Sequence, residues 1–289
     1  MESTMKRILM AIDGSPESEA VLPAIMPLVR AYGSEVVLLY VFEDPEASRV
    51  PPERIPAACA ALRGAGVNVT LELRDGDPAE EILRTATMKR ADLIALATHG
   101  RGGLARVIVG SVAEEVLRGS TVPVLITRPG TVVHDFKKLL VTLDGSPRSE
   151  LILDEAERLA RTLGATVDLL RATMPPMTIG LEVSPVTIPA EDPMPYLRKV
   201  ANQLAAHGVQ AHPVTCEGAA HDAILRQAEE TGASLLCMTT HGRTGLARLF
   251  LGSVAEGVLR KAPCPVLLRR SVKTEGAPPV PETRGALAT

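Results

Sequence analysis

The sequence predicts an α/β protein of two tandem domains, each an open parallel sheet of five strands with helices on both faces. Three observations carry the prediction. The chain has 289 residues, and domains of roughly 100–200 residues are the rule, so two cores are expected. It is internally duplicated: THGRGGLARVIVGS from Thr98 returns as THGRTGLARLFLGS from Thr240, and Thr98–Arg118 matches Thr240–Arg260 at 16 of 21 positions. Within each copy, short apolar runs alternate with stretches of helical period, the pattern of a parallel sheet covered on both sides.

In the first copy, RILMAID (7–13) is a buried strand, and Ser15-Pro16 has the form of an N-cap followed by proline at the first helical position. The helix predicted there runs to about Tyr32, where Gly33 stops it. SEVVLLYVF (34–42) is the second strand, 53–66 a helix ending in glycines and VNVTLEL (67–73) the third strand. A helix over 77–90 opens on Asp77 as cap. Residues 91–98 form a fourth strand, 111–118 a helix and 122–128 a last strand. The second copy repeats the order, with strands near 138–144, 166–172, 209–215, 234–240 and 264–269. Its entry KLLVTLDGSPRS lies 131 residues after RILMAIDGSPES, but its glycine loop lies 142 after the first. The 11 extra residues fall in 173–195, whose proline content predicts an extended loop. The expected domains are 1–130 and 136–271, and 272–289, rich in Pro, Gly and Ala, is expected to be a disordered tail.

Composition narrows the function. Aromatic residues make up 2% and tryptophan is absent, which disfavours readers that stack nucleic-acid bases. The net charge of −3 and a pI near 6.1 offer no basic face for a phosphate backbone. No nucleic-acid partner is therefore expected. The apolar run of MKRILMAID ends at Asp13, too short for a secretory segment, and no run of about 18 apolar residues occurs, so no membrane span is expected. Cys59, Cys216, Cys237 and Cys264 lack a metal-ligand spacing, and Cys237 and Cys264 sit in apolar runs. They read as core thiols of a reducing, cytoplasmic compartment.

Each glycine loop joins the carboxyl end of a buried strand to a helix start, where open parallel sheets bind ligands. The helix that follows begins Gly110-Ser111, or Gly252-Ser253, and offers free N–H groups and the positive end of a dipole to a phosphate. The structural alternative is a capping box, Ser111 with Glu114 and Ser253 with Glu256. Asp13 and Asp144 end the first strand of each half. A carboxylate there faces the base or ribose of a nucleotide, shares Mg²⁺ with its phosphates, or merely forms an Asx turn. Arg101, Arg106, Arg243 and Arg248 are candidate phosphate contacts. His99 and His241 lack a partnering carboxylate or nucleophile at motif spacing, so no catalytic residue is assigned. Walker A needs Gly-Lys-Ser/Thr and the dinucleotide fingerprint needs GxGxxG after the first strand; the chain has neither.

The D-G-S entry of each half, together with a glycine (Gly100, Gly242), nine residues and then G-S, resembles the universal stress protein family in its tandem form, whose loop pattern is G-x-x-G, nine residues, G-S/T. The resemblance implies an adenine nucleotide alpha hydrolase-like, Rossmann-like sheet. It implies ATP, with or without Mg²⁺, bound through Asp13, Val41, Ala97, Gly100, Arg101, Gly110, Ser111 and Val112 in the first half. Asp144, Ala172, Thr239, Gly242, Arg243, Gly252, Ser253 and Val254 are the equivalents, and Asp13 is the candidate Mg²⁺ contact. Ala97 and Thr239 stand where the family's motif has its first glycine, and the β-branched threonine departs further, which favours the first site. The resemblance further implies that the last strands, Val122–Arg128 and Cys264–Arg269, join the halves as a pseudo-dimer, with homodimerisation of the whole chain a further option. Three functions stay open: an ATP-controlled stress-response switch with protein partners, a nucleotide-free interaction module, and a weak ATPase or self-phosphorylating enzyme.

Overall fold

The structure is a computed structural model that describes residues 5–44, 50–98, 109–174, 177–179, 186–188, 192–240 and 251–271. The first half runs β1 (Arg7–Ala11), α1 (Val21–Tyr32), β2 (Glu35–Phe42), α2 (Arg54–Gly64), β3 (Val69–Asp75), α3 (Pro78–Lys89), β4 (Leu93–Ala97), α4 (Ser111–Gly119) and β5 (Val124–Thr127). The second runs β6 (Lys138–Thr142), α5 (Leu153–Leu163), β7 (Thr166–Thr173), β8 (Met177–Ile179), β9 (Val186–Ile188), α6 (Met194–Ala206), β10 (Ala211–Glu217), α7 (Ala220–Thr231), β11 (Leu235–Thr239), α8 (Ser253–Lys261) and β12 (Val266–Arg269).

Within each half the five long strands are parallel, ordered β3-β2-β1-β4-β5 and β10-β7-β6-β11-β12. The order reverses between β1 and β4, and again between β6 and β11, which opens a crevice above their carboxyl ends. Strand alternation sends Ile8 and Met10 of β1 to one face and Leu9 to the other. The face of Ile8 is covered by α1, α2, α5 and α6 through residues such as Ile25, Ile55, Leu159 and Leu197. The opposite face is covered by α3, α4, α7 and α8 through Ile82, Val116, Leu225 and Val258.

The halves share one sheet. β5 and β12 pair antiparallel, with Leu125 opposite Leu267, Val124 opposite Leu268 and Ile126 opposite Val266. Leu125 and Leu267 are equivalent positions of the repeat, so a local pseudo-twofold passes between them. Two equivalent arginines also cross between the halves: Arg128 donates to the Ala262 carbonyl at 3.1 Å and Arg270 to the Arg118 carbonyl at 2.5 Å.

Two expectations about elements are corrected. α1 does not begin at Pro16; a 3₁₀ turn over Ser18–Ala20 comes first and the α-helix starts at Val21. The region 173–195 is not simply extended: β8 and β9 pair antiparallel, Thr178 opposite Thr187, and α6 has begun by Met194. Asp77 does cap α3, its carboxylate accepting the Glu80 N–H at 3.0 Å. The tail 272–289 lies outside the described residues.

Candidate functional site

The repeated D-G-S-P-x-S entry is first a folding device. Asp13 Oδ1 accepts the Ser15 N–H at 2.9 Å and the Ser15 hydroxyl at 2.6 Å. Gly14 between them has φ +79°, which a side chain would resist. Ser15 Oγ accepts the Ser18 N–H at 3.1 Å, and the buried Ser18 hydroxyl donates to the Ser15 carbonyl at 2.9 Å. The second half repeats this with Asp144, Gly145 at φ +80°, Ser146 and Ser149. The Asx turn considered for these aspartates is therefore formed in both copies, and it pins each carboxylate at the mouth of its crevice.

Strand register shows what each aspartate stands beside. Ala11 is level with Leu39 of β2, and Met10 with Ala95 of β4. Continuing that register carries Asp13 to the level of Val41 on one side and Thr98 on the other. In the second half Thr142 pairs Leu170 and Val141 pairs Cys237, so Asp144 comes level with Ala172 and Thr240. Val41 is half-buried and packs on the α3/α4 face. Ala97 and Thr239 end β4 and β11 and are buried.

Helix α4 enters the same crevice. Gly110, its N-cap, donates its N–H to the Thr98 carbonyl at 2.9 Å, and Gly252 donates to the Thr240 carbonyl at 3.1 Å. The first intrahelical bond is Glu114 N–H to the Gly110 carbonyl, which leaves the N–H groups of Ser111, Val112 and Ala113 without an acceptor inside the helix. Gly252 and Glu256 repeat this at α8, ahead of Ser253, Val254 and Ala255.

The proposed capping boxes are not formed. A capping serine must precede the helix, whereas Gly110 and Gly252 hold that place and Ser111 and Ser253 are the exposed first helical residues. Glu114 turns forward to Arg118 at 3.0 Å, and Glu256 to Arg260. The serine hydroxyls are thus left without the structural task that spacing suggested.

Gly100, Arg101, Gly242 and Arg243, with His99, His241, Arg106 and Arg248, lie outside the described residues. Among the described residues no cluster of three or more His, Cys, Asp or Glu side chains is disposed to hold a metal ion. Cys59, Cys237 and Cys264 are buried and Cys216 half-buried, none in a disulfide. Burial pushes the Cys264 thiol up to about 12 and raises Cys237 as well, so neither supplies a thiolate.

Sequence reasoning passed over Thr98 and Thr240, whose carbonyls fix the helix starts; their repetition ahead of each His-Gly was the available signal. It also passed over Arg171, Glu150 and Tyr196 beside the second crevice. The Tyr196 hydroxyl donates to Glu150 Oε1 at 3.0 Å, and the Arg171 guanidinium stands 5.8 Å from the Tyr196 ring centroid. Burial, Glu150 and the charge of Asp144 all raise the Tyr196 pKa, so it stays a neutral donor.

The sequence model of the universal stress protein family matches residues 4–128 and again 135–270. A universal stress protein of Methanocaldococcus jannaschii is 33% identical over 153 residues, spanning 48% of this chain and 85% of that protein. One of Mycobacterium tuberculosis is 33% identical over 196 residues, spanning 62% of each chain. The crystal structure of a universal stress protein from Archaeoglobus fulgidus aligns with a TM-score of 0.69 at 23% identity, over 93% of this chain and 99% of that one. With the duplicated sheet, the two D-G-S turns and two matches of the family model, the chain belongs to the universal stress protein family and carries two of its domains in tandem.

Proposed function

We propose that this stress-response protein binds ATP, as its Mg²⁺ complex, at the glycine loop of at least one domain, and that the nucleotide acts as a conformational or partner-binding switch. The observation that carries the reading is the start of α4. Three N–H groups without helical acceptors and an exposed serine with no capping duty converge on the crevice that Asp13 and Val41 border. Such a terminus stabilises an anion through its N–H groups and dipole, while Val41 offers an apolar edge to a base. Gly100 and Arg101, outside the described residues, would add a backbone N–H and a positive charge to this site. Since Asp13 Oδ1 is engaged by Ser15, the Mg²⁺ would arrive with the triphosphate. Mg²⁺ would neutralise part of the phosphate charge.

The switch reading is supported by what α4 connects. Its first turn borders the crevice, and the carbonyl of Arg118 near its other end accepts Arg270 of the second half. A ligand that moves or stiffens α4 thereby acts on the contact between halves.

The test is Ser111→Asp. An acidic residue in the first turn favours a helix by about 0.3–1 kcal/mol, so stability should hold or rise, whereas its charge should weaken Mg-ATP binding at least about tenfold, or by roughly 1.4 kcal/mol. Unchanged affinity by calorimetry in both Ser111→Asp and Ser253→Asp would refute the proposed phosphate position.

A further inference from the structure

The two halves differ beside their crevices by an exchange of residues. At equivalent positions, β2 carries Tyr40 where β7 carries Arg171, and the start of α2 carries Arg54 where α6 carries Tyr196. Glu19 and Glu150 correspond, each following its D-G-S turn. The equivalence of α2 and α6 is fixed by the core, in which Ile55, Cys59 and Leu62 match Leu197, Ala201 and Leu204.

In the first half the bridge from the helix to the turn is an ion pair, Arg54 to Glu19 at 2.9 Å, with the arginine side chain 49% exposed. Such a pair is weak, and its long side chain swings away readily. In the second half the bridge is Tyr196 to Glu150 at 3.0 Å, its ring beside the guanidinium of Arg171. Arg171 is only 6% exposed. Moving Tyr196 aside would uncover that buried charge and give up both the hydrogen bond and the cation–π contact, so this bridge resists displacement. Arg171 immediately precedes Ala172, the residue level with Asp144 in the β6/β7 register, and Glu150 follows the Asp144 turn, so the bridge lies at the second crevice.

We propose that Arg171, Tyr196 and Glu150 close the base end of the second crevice, so that the chain takes a single adenine nucleotide, in its first half. This rests on the nucleotide-binding reading above. Thr239 in place of Ala97 acts in the same direction, adding a branched side chain at the end of β11. The second domain then serves through its contacts with the first.

The experiment titrates the full chain with Mg-ATP by calorimetry, as wild type, as Tyr196→Ala, and as Arg171→Tyr with Tyr196→Arg, which rebuilds the first-half arrangement. Circular dichroism and thermal melting check that each variant is folded. The wild type should bind one nucleotide, and the variants two, the second within about tenfold of the first in affinity. The mirror exchange, Tyr40→Arg with Arg54→Tyr, should weaken the wild-type site at least about tenfold. Two sites in the wild type, or one site in both folded second-half variants, would overturn the closure. A wild type that binds none refutes the nucleotide reading for the first half; the closure then stands if the variants gain a site and falls if they do not.

Discussion

At Gly110 the demand for glycine comes from space rather than from backbone angle. Its φ of −58° suits any residue, but a Cβ there would stand 2.9 Å from the Thr98 carbonyl oxygen, which itself accepts the Gly110 N–H. Gly110→Ala should therefore cost about 1–3 kcal/mol in chemical denaturation, nucleotide present or not; an unchanged midpoint would mean the helix start is looser than described. The residues of this site were legible in unequal measure. D-G-S and G-S stand out because they repeat, yet the capping box, one of the two readings open for Ser111 and Ser253, is not formed. Spacing of the form S-x-x-E cannot tell whether serine or the preceding glycine occupies the cap, because that depends on the direction from which the chain enters the helix. The sequence around Asp13 allows an Asx turn as one of several readings, and the bonds from Ser15 to Asp13 Oδ1 establish it.

Elements were easier to read than their ends. The long strands and helices follow the alternation of apolar period, whereas Ser15-Pro16 imitates a helix start and opens a 3₁₀ turn instead, because Asp13 and Ser18 capture the serine. The β8–β9 ladder escaped notice since three-residue strands leave too little periodicity. Helix α5 carries a buried element of its own. Glu155 is 4% exposed, is paired with Arg269 of β12 and with Arg158 at 3.6 Å, and its Oε2 has no hydrogen-bond partner among the described residues. Burial raises its pKa while the two arginines pull it back. An acid held above its unfolded value binds its proton more tightly when folded, so its contribution is present at low pH and is lost as pH rises through the raised value. Arg269→Leu removes a lowering charge and should make stability fall more steeply from pH 5 to 7.5. At the upper pH the cost should be about 2 kcal/mol, below that of a fully buried pair because Arg269 is partly exposed. Equal pH dependence of the denaturation midpoint in variant and wild type would show that Glu155 is solvated.

At the scale of the molecule, duplication explains both the number of crevices and how they are joined. Leu125 and Leu267 meet on the pseudo-twofold of one ten-stranded sheet, and the core on the α1/α5 face runs through Leu125, Phe136 and Leu267 without interruption. The offset between repeats gave the duplication from sequence alone. That the last strands join the halves came from the family resemblance, since nothing in either strand's own pattern names its partner; their antiparallel pairing is seen only in the structure. The shared core predicts a single cooperative unfolding transition, with calorimetric and van't Hoff enthalpies in agreement; two resolved transitions would show that the halves fold independently.

The central claim, that this duplicated sheet holds an adenine nucleotide, is tested most directly by releasing and chromatographing whatever the freshly purified protein carries, followed by a Mg-ATP titration. With no tryptophan and three tyrosines, the chain absorbs little near 280 nm, so bound adenine would stand out in its spectrum. The account predicts close to one adenine nucleotide per chain, either released or titrated. Absence of nucleotide in both would contradict it.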